Sequence, residues 1–341
     1  VGSAEGVWTD ILRDAAAGKL LPTYEAATPL VGADIPVPRR DLIRSGDYLF
    51  TNTVSTSRGC PFRCEFCYNS CAYAPRTIVN RPVADVLAEI GTLRTRHVMF
   101  IDDNFIGNPA WTREFLLALA AERRSLKWNA AVSVNLVNHL PLLDLMAATG
   151  CNSLFVGFET INQLAVRDVS KRQNKVAAYS RLIAEIHRRG IMVNASLVFG
   201  LDGDDATMFR STLEWLVENR VETMTGHILT PYPGTILHRR LQAEGRIVDH
   251  DYVHYNTAHV VYRPLHIAPQ ELRAGYLWMY KEFYSLRNIW RRMPRSRRQR
   301  APYLLFSIGY RRLGWMTALL ARVGLLGWVG RLSRRLAYHV E

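Results

Sequence analysis

Between residues 52 and 229 the chain alternates short apolar, β-branched runs with longer amphipathic stretches, so that a period near two repeatedly gives way to one near 3.6. The short runs fall at 52–56, 97–102, 129–134, 153–158, 191–199 and 223–229, and each reads as a strand. Helices are predicted between them: Pro82 opens one over 83–95, Asn108-Pro109 opens 110–124, Pro141 opens 141–149, and Gly190 closes 173–189. Six β/α units in series imply a parallel sheet wrapped by helices, with ligands at the carboxyl ends of the strands. Pattern alone leaves open whether that sheet rolls into a barrel or stays flat and doubly wound.

Beyond the last strand, residues 236–300 read as a Tyr- and Arg-rich, mainly helical extension. The apolar run over 313–329 is interrupted by Arg322 and falls short of the roughly 20 apolar residues that cross a bilayer. Arg311, Arg312, Arg331, Arg334 and Arg335 flank it, and Trp315 and Trp328 stand near its ends. It therefore reads either as an element lying on an anionic membrane surface or as a helix packed on the barrel. Charge sharpens this contrast, because residues 287–341 hold thirteen Arg, no Lys and one acid, Glu341, and so carry +12 of the total +13.

Length and composition fit one large or two ordinary soluble domains: 341 residues, 48% hydrophobic. Four of the five cysteines (Cys60, Cys64, Cys67, Cys71 and Cys151) crowd into one stretch. They make no disulfide framework and point to a reducing compartment, the cytoplasm. The opening Val1-Gly2-Ser3-Ala4-Glu5 has neither an initiator Met nor a signal pattern, and is expected to lie inside a longer protein.

The crowded stretch is Ser57-Arg58-Gly59-Cys60-Pro61-Phe62-Arg63-Cys64-Glu65-Phe66-Cys67-Tyr68, a C-x3-C-x2-C array. Three thiols can hold three irons of a four-iron cluster and leave the fourth open to a small molecule. The competing reading is a zinc site with Cys71 as fourth ligand, although all four candidates lie close together and no second cysteine pair occurs elsewhere. The run resembles the signature of the radical S-adenosylmethionine (SAM) enzymes. That resemblance implies the partial (β/α)6 barrel of that family. It also implies a 4Fe-4S cluster on Cys60, Cys64 and Cys67 that reductively cleaves SAM to a 5'-deoxyadenosyl radical, with a flavodoxin or ferredoxin as electron donor.

The resemblance also assigns the strand ends. Asp102 and Asp103, after the second strand, stand where the family places its Gly-Gly-Glu contact to the amino group of SAM, a motif from which this chain departs. An acidic pair can still accept from an ammonium group; capping of the next helix by Asp103 or Asn104 is the plainer reading. Glu159, after the fourth strand, would meet the ribose or methionine portion. Lys171 would pair with the SAM carboxylate, or else be a solvated lysine at a helix start. Ser196 would reach the ribose, and Phe66 would lie against adenine. Gly200-Leu201-Asp202-Gly203-Asp204 reads as a tight turn, with or without a ligand beside it. The histidines are scattered and suggest no second metal centre.

Two flanks resemble a narrower group, the cobalamin-dependent radical enzymes that include hopanoid methylases. These are Val1–Trp8 with Ile11-Leu12-Arg13-Asp14, then Pro38-Arg39-Arg40-Asp41-Leu42; residues 232–293 resemble that group's C-terminal extension. No Asp-x-His-x-x-Gly cobalamin-ligand motif occurs, so cobalamin is expected only in a longer parent protein. The reading is therefore α/β, divided into the end of a cobalamin domain with a linker over 1–50, the barrel over 51–235, and a helical extension over 236–341. The expected activity is methylation of an unactivated carbon in a small-molecule substrate, a lipid being one candidate, at the inner face of the membrane. Radical cyclisation, rearrangement, RNA modification and a non-catalytic zinc- or cluster-binding protein are the alternatives. Nucleic acid is disfavoured because no further compact β-domain follows the barrel.

Overall fold

The computed structural model describes residues 2–26, 29–43, 51–72, 74, 77–93, 95–168, 171 and 173–322. Its strands are β1 (Thr53–Val54), β2 (Ser57–Arg58), β3 (Val79–Asn80), β4 (His97–Phe100), β5 (Lys127–Ser133), β6 (Cys151–Glu159), β7 (Met192–Phe199) and β8 (Thr223–Ile228). The helices are α1 (Trp8–Ala16), α2 (Val83–Thr92), α3 (Pro109–Ala121), α4 (Leu140–Ala148), α5 (Gln163–Asp168), α6 (Tyr179–Arg188), α7 (Met208–Glu218), α8 (Ile236–Ala243), α9 (Pro269–Phe283), α10 (Leu286–Arg291) and α11 (Arg297–Arg322).

Six strands pair in parallel in the order β1-β4-β5-β6-β7-β8. A doubly wound sheet reverses strand order at a switch point. Here the order never reverses, so successive right-handed crossovers put the helices on one face and curl the sheet around the other. With β1 and β8 as its two edges the sheet is a partial barrel.

Period-two alternation decides which side chains face the helices. Leu154, Val156 and Phe158 on β6 and Val193, Ala195 and Leu197 on β7 are buried in the main core. Their neighbours Phe155, Gly157, Asn194, Thr223 and Thr225 are only half-buried and line the concave face. At one end of the core Phe100 lies 5.0, 5.6 and 5.4 Å from the rings of Phe105, Phe115 and Trp128. Asn108 starts α3 by accepting from the Trp111 N–H at 3.2 Å, with Pro109 in the first turn. The helix predicted from 173 begins instead at Tyr179, because the Asn174 amide donates to the carbonyls of Gly157 (2.9 Å) and Phe158 (3.0 Å) and so holds the chain against the end of β6.

Both sheet edges are covered by side chains rather than strands. On β8, the Tyr280 hydroxyl accepts from Gly226 N–H (2.9 Å) and donates to Gly226 O (3.1 Å). Arg292, wholly buried, donates to Val221 O (2.7 Å), Glu222 O (2.8 Å) and Phe283 O (2.7 Å). On β1, Arg40 donates to Thr53 O and pairs with Glu89 at 2.6 Å, while Arg81 donates to Ser55 O at 2.9 Å. Among the described residues no helix is long and apolar enough to cross a membrane. The side chains of the 313–329 run lie outside the described residues.

Candidate active site

The cysteines lie in the loop between β2 and β3, which pair as a short antiparallel hairpin (Ser57↔Asn80, Arg58↔Val79) just past the carboxyl end of β1. Asp102, beyond β4, ties down the entry to that loop. Its Oδ1 accepts from Thr56 N–H (2.9 Å), Thr56 Oγ1 (2.9 Å) and Ser57 Oγ (2.6 Å). Its Oδ2 is buried with no partner, and burial raises the carboxyl above its ordinary value despite the three donors. One oxygen thus shapes the loop and the other is left over.

Cys60 and Cys67 are half-buried and Cys64 is buried. Burial pushes all three thiols up, Cys60 to about 11, with the neighbouring Cys64 and Cys67 adding to the rise at Cys60. Metal binding must therefore displace protons from all three. Cys67 Sγ accepts from the Asn69 amide (3.6 Å) and Cys64 Sγ from the Gln173 amide (3.7 Å), the kind of bond that tunes a thiolate-bound cluster. Cys71 is fully buried, and Cys151 is buried on β6. Among the described residues no three His, Cys, Asp or Glu side chains are close enough to share a single ion. Three thiols on three separate irons need no such convergence, so the donor set fits a cluster better than tetrahedral zinc.

Glu159 ends β6 with a φ of 66°, beside a shift in strand register between Gly157 and Glu159. That left-handed turn aims its carboxylate at Lys171, with which it forms a buried ion pair. Lys171 Nζ also donates to Gly157 O at 3.1 Å and stands 6.0 Å from the centre of the Phe66 ring. Its charge acts to lower the Cys64 and Cys67 thiols against the larger effect of burial. Lys171 is 6% exposed, so the solvated-lysine reading is not what the fold produces. Asp103 accepts from the Tyr68 hydroxyl and lies near enough to raise Cys60 and Cys67. Ser196 is buried on β7, in register with Gly157 on one side and Thr225 on the other.

The fold thus gathers Phe66, Glu159 and Lys171 beside Cys64 and Cys67, sets Asp103 beside Cys60, and places Asp102 and Ser196 further along the same face. In the Gly200–Asp204 turn Asp204 Oδ2 accepts from the N–H groups of Gly200 (3.1 Å) and Leu201 (3.0 Å), and the Tyr262 hydroxyl donates to Gly200 O. Sequence reasoning missed Gln173, Asn69, Tyr68 and His227. Asn69 was within reach, two residues past Cys67; Gln173 meets Cys64 only through the fold. His227, on β8, hydrogen-bonds Thr257 Oγ1 at 3.1 Å, is lowered by burial, and feels the opposing charge of Glu159.

Residues 54–216 match the Radical SAM superfamily. These residues form a radical SAM domain. Members of that superfamily use a 4Fe-4S cluster and SAM. Residues 235–335 match a domain of unknown function, DUF4070. Bacteriochlorophyllide d C-12(1)-methyltransferase of Chlorobaculum tepidum is 25% identical over 302 residues, which is 86% of this chain and 65% of that protein. Hopanoid C-2 methylase of Rhodopseudomonas palustris is 28% identical over 225 residues, 63% of this chain and 42% of that protein. The solved structure of the cobalamin-dependent SAM radical enzyme OxsB, with aqua-cobalamin bound, superposes with a TM-score of 0.65 over 91% of this chain and 55% of its own. At 14% identity that likeness is one of fold. The chain spans 65% and 42% of the lengths of the two methylating relatives.

Proposed function

We propose that this chain is the radical-generating part of an enzyme that methylates an unactivated carbon of a small-molecule substrate. The observation that carries the reading is the loop of three thiols, two half-buried and one buried, beside the Glu159–Lys171 pair at the strand ends. When bound, the cluster supplies an electron for reductive cleavage of SAM to a 5'-deoxyadenosyl radical. Cys60, Cys64 and Cys67 would hold the cluster. The Lys171 ammonium would meet the SAM carboxylate, while Asp103 and the unpartnered Oδ2 of Asp102 would accept from its amino group. Phe66 would lie against adenine, with Glu159 and Ser196 near the ribose. The names of the methylating relatives support carbon methylation over cyclisation, rearrangement or RNA modification.

The proposed division is a linker and the end of a cobalamin domain over 1–50, the barrel over 51–235 and the extension over 236–341, with cobalamin held by a longer parent and a flavodoxin or ferredoxin as reductant. Anaerobic reconstitution tests the reading. About four irons and four sulfides per chain with release of 5'-deoxyadenosine support it; one zinc and no cleavage overturn it.

A second reading concerns location in the cytoplasm at an anionic membrane surface, in keeping with a lipid substrate. On α10, Leu286 and Trp290 are 52% and 66% exposed and alternate with Arg287 and Arg291, a mixture that suits lipid headgroups better than nucleic acid. Leu286→Ser with Trp290→Ser, or adding salt, should weaken sedimentation with anionic vesicles while SAM cleavage survives. Equal vesicle binding by the parent and the double variant would remove the membrane reading.

A further inference from the structure

The loop that carries the thiols is gripped from outside the barrel. Helix α8, the first after the sheet, starts against it: Leu237 N–H donates to Glu65 O at 3.0 Å and Ile236 N–H to Ser70 Oγ at 3.1 Å. The Ser70 hydroxyl in turn donates to the same Glu65 carbonyl at 3.2 Å. Glu65 and Phe66 are the two central residues of a turn closed by Cys67 N–H donating to Cys64 O at 2.9 Å. Glu65 is thus the outward handle of the segment that spaces two cluster ligands.

Arg240, on α8, joins that handle to the sheet. Its Nε lies 3.4 Å from Glu65 Oε2 and its Nη1 2.7 Å from Asp202 Oδ2, in the turn after β7. Asp202 is itself held by Arg246, whose Nη2 lies 2.6 Å from Oδ1 and whose Nε donates to Arg263 O at 2.8 Å. The Asp202 contact is a hydrogen bond and the Glu65 contact an ion pair, with Glu244 Oε1 a further 3.4 Å neighbour of Nη1, so the guanidinium spreads its charge over carboxylates that a lysine ammonium, a point charge, would not hold together in the same way.

We propose that Arg240 is a positioning residue for the cluster-binding loop: by tying Glu65 to the Asp202 turn it sets the Cys64–Cys67 turn relative to the barrel mouth. The inference rests on the cluster reading above. Arg240 is 30% exposed, so its ion pairs contribute little to global stability and the effect belongs to the loop.

The test uses the reconstituted chain and the variants Arg240→Lys, Arg240→Gln and Glu65→Gln, the last of which spares the Arg240–Asp202 pair. Iron and sulfide content and Tm should stay near the parent values. Loss of iron to a ferrous chelator should be about fivefold faster, the equivalent of roughly 1 kcal/mol. The change in the EPR spectrum of the reduced cluster on adding SAM should also differ from that of the parent. Arg189→Gln, which removes ion pairs with Asp144 on α4 and Glu185 on α6, serves as control and should change neither reading. Parent-like chelation and EPR in both Arg240→Lys and Glu65→Gln would overturn the proposal. If the Arg240 variants unfold, Glu65→Gln decides alone. A parent chain that takes up no four-iron cluster overturns the underlying reading instead.

Discussion

A methyl group on Gly157 would stand 2.7 Å from Glu159 Oε1 and 2.9 Å from Lys171 Nζ, closer than real contacts allow. Both atoms end flexible side chains, so the fold can accommodate the methyl by moving the ion pair. Gly157→Ala should therefore keep its iron and most of its stability while binding SAM about tenfold more weakly, near 1.4 kcal/mol, by equilibrium dialysis. Unchanged affinity would show that the pair does not meet the cofactor. At the thiols, replacing Cys60, Cys64 or Cys67 by Ala should abolish SAM cleavage. Cys71→Ala and Cys151→Ala should retain it, although Cys71, fully buried, should lose some stability. Elimination of the cluster by Cys71→Ala alone would refute three-thiol ligation. These cysteines were legible in the sequence because cluster ligands on one loop need no tertiary contact to be recognised. The double life of Asp102 was not, since its bonds to Thr56 and Ser57 join chain segments that are far apart in sequence.

The edge of β8 shows how an appended element can be structurally obligatory. Arg292 feeds three backbone carbonyls and stacks 3.4 Å from the centre of the Phe283 ring, and burial pulls its guanidinium down to about 10, still charged at neutral pH. Arg292→Met keeps much of the stem but strands those carbonyls, and should cost roughly 3 kcal/mol or more in urea unfolding. In the turn after β7, burial raises Asp204 to about 7, although Gly200 and Leu201 donate to it. An acid whose folded pKa lies above its unfolded one adds stability below the unfolded value and loses that contribution as pH rises through the folded one. Stability should fall between about pH 4 and 7 by at most about 1.4 kcal/mol per pH unit from this group. Asp204→Asn should flatten that part of the profile, and identical slopes in parent and variant would exclude Asp204 as the cause.

For the molecule as a whole, the proposed division of labour predicts that residues 1–341 cleave SAM without transferring a methyl group. No Asp-x-His-x-x-Gly motif is available to ligate cobalt within them. Methylcobalamin should bind more weakly than about 1 μM, a free energy near 8 kcal/mol. Tighter binding by titration calorimetry, or methylated product from this chain alone, would contradict the division.

What the sequence determined by itself is what local spacing encodes: six strands in chain order, three of the helices between them to within a few residues, and three thiols on one loop; the fourth helix begins later than its pattern suggested and α7 carried no signal that was read. Periodicity and ligand spacing are properties of contiguous residues, so they survive without a fold. Tertiary structure decided the rest. That the sheet curls rather than doubles back follows from strand order alone, which no single strand carries. Lys171 becomes a buried partner of Glu159, and Gln173 a donor to Cys64, only because the end of β6 and the segment before α6 are brought to the cysteine loop. The sheet edges are likewise covered by Arg40, Tyr280 and Arg292 from outside the strands. An unpaired backbone group must find a donor or acceptor somewhere, but only the packed chain determines which side chain arrives.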